Sequence, residues 1–91
     1  MKLDDDQLTL ISRALADPKR FELLQKISES KNAPTCSCIR DWLGVAPATV
    51  SHHLKELEAA GLVNIERDGK FAYVSLRREV LKAYLKRLST L

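Results

Sequence analysis

The sequence has few of the residues that interrupt regular secondary structure, with three glycines and three prolines among 91 residues. No proline-rich linker, low-complexity stretch or internal repeat divides it. A chain that is 45% hydrophobic and 30% charged is typical of one folded soluble domain. We therefore predict a single domain over residues 1–91, which is too small for a large catalytic cleft, and we do not expect an enzyme.

Long apolar runs are also missing. The longest are a few residues such as Leu62 and Val63, whereas a membrane-spanning helix needs roughly 18 consecutive apolar residues or more. Met1, Lys2 and Leu3 lead into three aspartates instead of the apolar core of a secretory signal. These features predict a cytoplasmic protein with no membrane partner.

Charge of both signs is present, but it is unevenly distributed. Fifteen basic and twelve acidic side chains give a net charge of +3. Residues 61–91 alone carry seven basic and three acidic side chains. This asymmetry favours a basic surface that faces nucleic acid, although a solvated helix face explains a charge run equally well.

Apolar residues at helical spacing predict four helices before the hydrophobic period changes. The first follows the aspartates at 4–6, the second begins at Asp17 and Pro18, the third is capped by Thr35, and the fourth begins at Pro47. Two helices joined by about four residues that include Gly44 are typical of a helix-turn-helix. The residues predicted to face inward on the second to fourth helices are Phe21, Leu24, Ile27, Ile39, Trp42, Leu43, Val50, Leu54 and Leu57.

A hydrophobic period of two follows, on either side of Asp68 and Gly69, a strong two-residue hairpin signal. Placing these two residues in the turn pairs Ile65 with Ala72. A hairpin that follows a helix-turn-helix is a wing. The predicted fold class is therefore mainly α with a small β-hairpin: a winged helix-turn-helix with five helices and a two-stranded wing.

The first and last helices carry apolar stripes of their own. A winged trihelical core closes on the second to fourth helices and the wing, so these stripes need another partner. A second copy is the simplest one, and packing on the same chain's core is the alternative. The predicted homodimer interface consists of Leu8, Ile11, Leu81, Tyr84, Leu85 and Leu88.

Four runs carry a family resemblance: Ala-Asp-Pro-Lys-Arg at 16–20, Leu-Gly-Val at 43–45, Thr-Val-Ser-His-His-Leu-Lys at 49–55, and Glu-Ala-Ala-Gly-Leu-Val at 58–63. The sequence resembles the ArsR/SmtB-type winged helix transcriptional regulators over nearly its whole length. The resemblance implies a homodimeric repressor that dimerises through its first and last helices. It also implies that the repressor leaves double-stranded operator DNA when a metal ion or another inducer binds.

The fourth helix is predicted to be the recognition helix. Its short polar side chains near the N-terminus suit a major groove, and the resemblance implies that Ser51 and His52 reach DNA. The predicted DNA-binding residues are Ala48, Thr49, Ser51, His52, His53 and Lys55 on this helix, Arg67 and Lys70 beside the wing turn, and Arg40 on the third helix.

Several of these residues have a structural alternative. His53 is alternatively a histidine at the edge of the core, bonded to the backbone. Arg67 and Lys70 are alternatively an ordinary solvated hairpin tip. Ala46 and Ala48 stand where relatives often carry Ser or Gln, so a winged-helix protein-interaction module without operator binding is the alternative function.

Cys36 and Cys38 are the two cysteines of the chain, at the start of the predicted third helix. They do not resemble a secreted disulfide framework. The resemblance implies a soft metal or metalloid ion at such cysteines, but two thiolates are too few for a closed site without further ligands. The last helix offers only Glu79 for the family's zinc-type site. Structural packing, thiol redox or electrophile sensing, and metal binding therefore stay open, and no other cofactor is predicted.

Overall fold

A computed structural model describes residues 1–91 as five helices and one antiparallel hairpin. The helices are α1 (Asp5–Leu15), α2 (Pro18–Glu29), α3 (Cys36–Leu43), α4 (Pro47–Ala59) and α5 (Arg78–Ser89), and strands β1 (Val63–Asp68) and β2 (Phe71–Leu76) lie between α4 and α5. This order confirms the predicted winged helix-turn-helix. None of the helices combines the length and the apolar character that crossing a membrane requires.

Side-chain caps fix where the first three helices begin. The carboxylate of Asp4 accepts from the backbone N–H of Gln7 at 2.7 Å, and that of Asp17 accepts from two backbone N–H groups of α2. The hydroxyl of Thr35 accepts from the N–H of Cys38 at 3.2 Å. Each of these bonds satisfies a donor that the first turn of a helix leaves without a partner.

The core is one cluster of sixteen buried hydrophobic residues that comes from all five helices and both strands. On α2 it contains Leu23, Leu24 and Ile27. The inward orientation predicted for Phe21 and Trp42 is wrong, because these side chains are 50% and 37% exposed. Phe21 precedes Leu23 by two residues, about 200° around the helix, and therefore lies outside the buried stripe of α2.

The hairpin register differs from the prediction. Ile65 pairs with Val74, and Asp68 pairs with Phe71, so Gly69 and Lys70 form the two-residue turn. Gly69 has a φ of +61°, which suits a turn with glycine at its first central position. Because the partner of Ile65 changes by two residues, the same side chains still share a face of the hairpin.

The wing is fastened to the start of α3. The N–H of Val74 donates to the carbonyl of Pro34 at 2.9 Å, and Thr35 forms a β-bridge with Tyr73. Gly44, with a φ of +63°, ends α3 in the left-handed conformation that a tight turn into α4 requires. These connections place the N-terminus of α3, the exposed face of α4 and the wing side by side.

The first and last helices are joined by polar contacts. The guanidinium of Arg87 bonds to the carboxylate of Asp5 at 2.6 Å and to the carbonyl of Leu3 at 3.2 Å. The hydroxyls of Ser12 and Tyr84 lie 3.0 Å apart. The two end helices therefore pack in part against their own chain, as the alternative to a dimer predicted.

The predicted interface residues of α1 and α5 differ in exposure. Ile11 is fully buried in its own core, so its assignment to a dimer interface is wrong. Leu8, Leu81 and Tyr84 are half-buried. Leu85 and Leu88 are 55% and 43% exposed, and Leu10 on α1, which the sequence prediction omitted, is 40% exposed. An apolar surface therefore remains uncovered on these two helices.

Candidate nucleic-acid interface

Helix α4 divides into a buried and an exposed side. Its buried residues, Val50, His53, Leu54 and Leu57, face the core. The side chains of Ala48, Thr49, Ser51, His52 and Lys55 are exposed. Five of the six residues predicted on this helix therefore have the exposure that contact with DNA requires.

His53 is the exception, and its assignment as a DNA-contacting residue is wrong. The residue is only 5% exposed, and its Nδ1 accepts a hydrogen bond from Nε of Arg20 at 3.3 Å. His52 and His53 are about 100° apart around the helix, so only the first of them points to solvent. The core-edge alternative describes His53 correctly except for its partner, which is a side chain and not the backbone.

A groove of about 490 Å³ lies between the start of α3, the exposed face of α4 and the wing. It is lined by four of the predicted basic residues, which are Arg40, Lys55, Arg67 and Lys70. The predicted Ser51 also lines it, whereas Thr49 and His52 are exposed on the same helix outside the groove. Residues far apart in the sequence are thus brought together on one surface.

The groove has a strong excess of positive charge. None of its four basic side chains forms an ion pair within the chain, and the one carboxylate in its lining belongs to Glu58. The guanidinium of Arg40 bonds to the hydroxyl of Ser37 at 3.0 Å, and the ammonium of Lys70 lies 6.0 Å from the ring centre of Phe71. Unneutralised cations around a groove attract polyanions such as a nucleic-acid backbone.

Some groove residues were not predicted from the sequence. Thr35 and Ser37 belong to the start of α3 and add hydroxyl groups beside the cations, and Glu58 faces the same space from α4. No local motif marks these residues. The N–H of Val74 bonds to the carbonyl of Pro34, so the start of α3 with Thr35 and Ser37 lies beside the wing, whereas Glu58 faces the groove from α4 itself.

The two cysteines have different surroundings. Cys36 is half-buried and lines the groove, whereas Cys38 is exposed and does not. Residues two apart on a helix point about 200° away from each other. No group of three or more His, Cys, Asp or Glu side chains is arranged to hold a metal ion. The two thiols therefore do not supply the three or four ligands that zinc or a soft ion prefers.

Charged groups at the junction of α2 and α4 have shifted pKa values. The hydrogen bond from the backbone N–H of Arg20 is the main cause that lowers the pKa of Asp17 below its ordinary value. Burial is the main cause that lowers the pKa of His53, and the charge of Arg20 lowers it further, while Asp17 opposes the shift. His53 is therefore held in its neutral form at neutral pH.

Comparison with known proteins agrees with this geometry. The helix-turn-helix domain family matches residues 15–66, which are more than half of the chain. The chain is 33% identical over 86 residues to the uncharacterized HTH-type transcriptional regulator YceK of Bacillus subtilis, covering 93% of this chain and 86% of that protein. It is 32% identical over 74 residues to the arsenical resistance operon repressor of Bacillus subtilis, covering 80% of this chain and 69% of that protein.

A solved structure shows the same fold over nearly the whole chain. The crystal structure of an ArsR family transcriptional regulator superposes with a TM-score of 0.85 at 26% identity, covering 99% of this chain and 91% of that one. The similarity includes both end helices as well as the helix-turn-helix and the wing.

Proposed function

The chain belongs to the ArsR family of helix-turn-helix transcriptional regulators, and on that premise we propose that it represses transcription by binding operator DNA as a cytoplasmic homodimer. The observation that carries the proposal is the basic groove between α3, α4 and the wing. It combines four unpaired cations with a helix whose exposed side chains are short and polar. Phosphate binding and base recognition require these two features together.

In this proposal α4 enters the major groove, which is wide enough to admit a helix. Thr49, Ser51 and His52 lie in its N-terminal half and offer hydroxyl and imidazole donors to base edges or phosphates. Ala48 offers a methyl group for contact with thymine. Sequence preference thus comes from the first two turns of α4.

The basic side chains act on the DNA backbone. Lys55 continues the exposed face of α4, and Arg67 and Lys70 extend along the wing beside it. Arg40 approaches from α3, where its bond to Ser37 orients the guanidinium. Each of these cations that neutralises a phosphate releases a counterion, which makes binding strong at low salt and weak at high salt.

The dimer follows from the apolar surface that α1 and α5 leave open. Leu85 and Leu88 project from the last helix and Leu10 from the first, each at least 40% exposed. A two-fold interface along α1 and α5 buries these side chains and repeats the basic groove once in each copy. A symmetric dimer recognises two half-sites of an inverted repeat.

The second candidate function is a winged-helix protein-interaction module. Ala46 and Ala48 favour it, because they leave the N-terminus of α4 less polar than a base-reading helix requires. The four unpaired cations of the groove argue against it. Interfaces between proteins are poor in lysine, and Lys55 and Lys70 are two of these four cations.

A salt titration separates the two functions. Fluorescence anisotropy measures binding of the wild type to a random-sequence duplex at a series of salt concentrations. The repressor predicts an affinity that falls linearly on logarithmic axes as salt rises, with a slope of about −0.9 for each phosphate neutralised. A protein-interaction module predicts little affinity for duplex at any salt concentration, and this result would refute the proposal.

Release from DNA is proposed to involve the groove thiol. Cys36 lines the surface that the DNA backbone would occupy, so an adduct on its sulfur competes with DNA for the same space. A thiol-reactive signal needs one accessible thiolate, whereas a metal ion or metalloid needs ligands that one chain does not supply. Among the possible inducers, the geometry therefore favours a thiol-reactive compound.

A further inference from the structure

A buried polar pair joins the recognition helix to the beginning of the domain. Arg20 on α2 and His53 on α4 are 8% and 5% exposed. Nε of Arg20 donates to Nδ1 of His53 at 3.3 Å, and Nη1 of Arg20 donates to the carbonyl of Ala14 on α1 at 3.5 Å. One guanidinium on α2 thus contacts two other helices, α1 and α4.

The hydrogen bond fixes the protonation state of the ring. Because the guanidinium only donates, Nδ1 of His53 must be an acceptor, and the single ring proton of the neutral form is on Nε2. The charged or titratable groups that act on this ring are Arg20, Asp17 and His52. Burial opposes protonation most strongly, and Arg20 and His52 oppose it further.

The pair lies directly behind the exposed face of α4. His53 follows Ser51 and His52, so a rotation of α4 that moves its ring also moves the side chains that face DNA. No side-chain hydrogen bond caps the N-terminus of α4. The buried side of α4 otherwise makes apolar contacts, through Val50, Leu54 and Leu57. Apolar contacts are not directional, so they restrict the rotation of the helix less than a hydrogen bond does.

Burying a guanidinium is costly, and an apolar residue of similar size often gives a more stable core. A hydrogen bond differs from an apolar contact because it weakens steeply when its distance or angle changes. The bond between Arg20 and His53 therefore restricts the rotation of α4 in a way that the surrounding leucines do not. Restriction of this kind benefits a helix that must present donors to fixed base edges.

We propose that Arg20 and His53 are positioning residues for DNA recognition, which orient α4 relative to α1 and α2 through their buried hydrogen bond without touching DNA. The proposal rests on the proposed DNA-binding function. It adds a specific role for two residues that lie outside the interface. It also links α1, an end helix of the proposed dimer, with the orientation of α4.

The test compares two substitutions of His53. In His53→Asn the carbonyl oxygen occupies the place of Nδ1, because both atoms are bonded to Cγ, so the acceptor for Arg20 is kept. In His53→Leu the acceptor is lost. The probes are a duplex that the wild type selects from a random-sequence library and an unselected random duplex, and circular dichroism confirms folding of each variant before binding is measured.

We expect His53→Leu to lose about tenfold or more in affinity for the selected duplex, comparable with the loss of a base contact. Its affinity for the random duplex stays unchanged, because the groove cations are intact. His53→Asn retains most of the wild-type preference. A purely structural role predicts instead that both folded variants bind the selected duplex as the wild type does, and that result would overturn the proposal.

A pH profile provides a readout that does not depend on the folding of His53→Leu. As the pH falls below about 6.5, the ordinary pKa of histidine, and passes the lowered pKa of His53, Nδ1 gains a proton and loses its bond to Arg20. Affinity of the wild type for the selected duplex, relative to His53→Asn, is expected to fall by about fivefold once the pH has passed below the lowered pKa of His53. His52 is present in both proteins, so its contribution to binding is common to both sides of this ratio.

The outcomes separate the inference from the function on which it rests. If the library yields no duplex that the wild type prefers, the proposed function itself fails. If the wild type selects a duplex but its affinity ratio to His53→Asn is constant with pH, the positioning role is refuted while DNA binding stands. A ratio that declines with falling pH supports the positioning role.

Discussion

Neighbouring residues of α4 differ in their exposure to solvent, and only the exposed ones are able to contact DNA. Ser51 and His52 are exposed, whereas His53 is buried against Arg20. The helix turns by about 100° at each residue, so two successive histidines cannot share a face. In the proposed function, Ser51 and His52 are therefore the candidates for base recognition at the residue scale, and His53 is not.

Removal of either exposed side chain is expected to weaken recognition. Ser51→Ala and His52→Ala should each cost about 1 to 3 kcal/mol of binding to the selected duplex, because each removes a donor to a base edge or phosphate. Dimerisation should not change. Ser28→Ala is the matched control, since its hydroxyl bonds only to the carbonyl of Gln25 within α2. If the two α4 variants and the control bind the selected duplex with equal affinity, α4 is not the recognition helix.

The wing cation should act without regard to sequence. Lys70→Ala removes a charge from the groove, so affinity for all duplexes should fall alike, and the slope of the salt titration should decrease by about 1. Lys82→Ala changes the net charge equally, but Lys82 is exposed on α5 and does not line the groove. A slope that changes equally in both variants would mean that the wing does not touch DNA.

The different positions of the two thiols give a matched pair of variants. Cys38→Ser retains only the groove thiol, and Cys36→Ser retains only the exposed one. Treatment with N-ethylmaleimide should abolish duplex binding by Cys38→Ser, because the adduct fills part of the groove, and should affect Cys36→Ser much less. Anisotropy before and after complete labelling, verified by mass spectrometry, measures the difference. Equal loss in both variants would contradict the placement of Cys36.

At the scale of elements, the sequence predicts well what depends on local signals. Helix N-termini follow the caps Asp4, Asp17 and Thr35, and both strands surround the predicted glycine turn. The exact hairpin register was wrong because two adjacent dipeptides, Asp68-Gly69 and Gly69-Lys70, both satisfy the rules for a turn. In the observed register, Val74 of β2 donates a backbone hydrogen bond to Pro34, in the segment before α3. The turn at Gly69 and Lys70 therefore occurs together with a tertiary contact that the dipeptide sequence does not reveal.

The turn between α3 and α4 requires a left-handed residue. Gly44 has a φ of +63°, and no atom lies within 4 Å of the place where a Cβ would be. Gly44→Ala should therefore lower the free energy of unfolding by about 1 to 2 kcal/mol through backbone conformation alone. Gly44→Asn is the control, since asparagine tolerates this conformation better, and its loss should be smaller. Urea denaturation measures both, and an equal loss would point to a steric cause instead.

At the scale of the whole molecule, the sequence predicted the groove only in part. Periodicity assigned the exposed face of α4, but it did not assign Ser37 and Glu58, which join the groove through folding. Periodicity also could not distinguish Ile11 from Leu85, although both belong to apolar stripes. Ile11 is covered by its own core, and Leu85 is 55% exposed. Tertiary packing determines whether an apolar stripe on a helix is covered by its own chain or left for a second copy.

Assembly is tested by placing a charge on the open stripe. Leu85→Glu should convert the dimer to a folded monomer or unfold it, because a carboxylate would be buried in an apolar interface. Phe71→Glu is the control, since Phe71 is similarly exposed at 49% but belongs to the wing. Light scattering at micromolar concentration gives the mass of each variant. A wild type that is stably monomeric there would contradict the dimer.

The central claim is that two copies of this domain read DNA together, and selection from a random-sequence duplex library tests it most directly. The wild type is incubated with the library, bound duplexes are recovered and amplified over several rounds, and the enriched sequences are read. A two-fold dimer with one α4 in each major groove predicts an inverted repeat, with half-site centres separated by about 10 base pairs or a multiple of that distance. Enrichment of no sequence, or of a single half-site without its symmetric partner, would contradict the account.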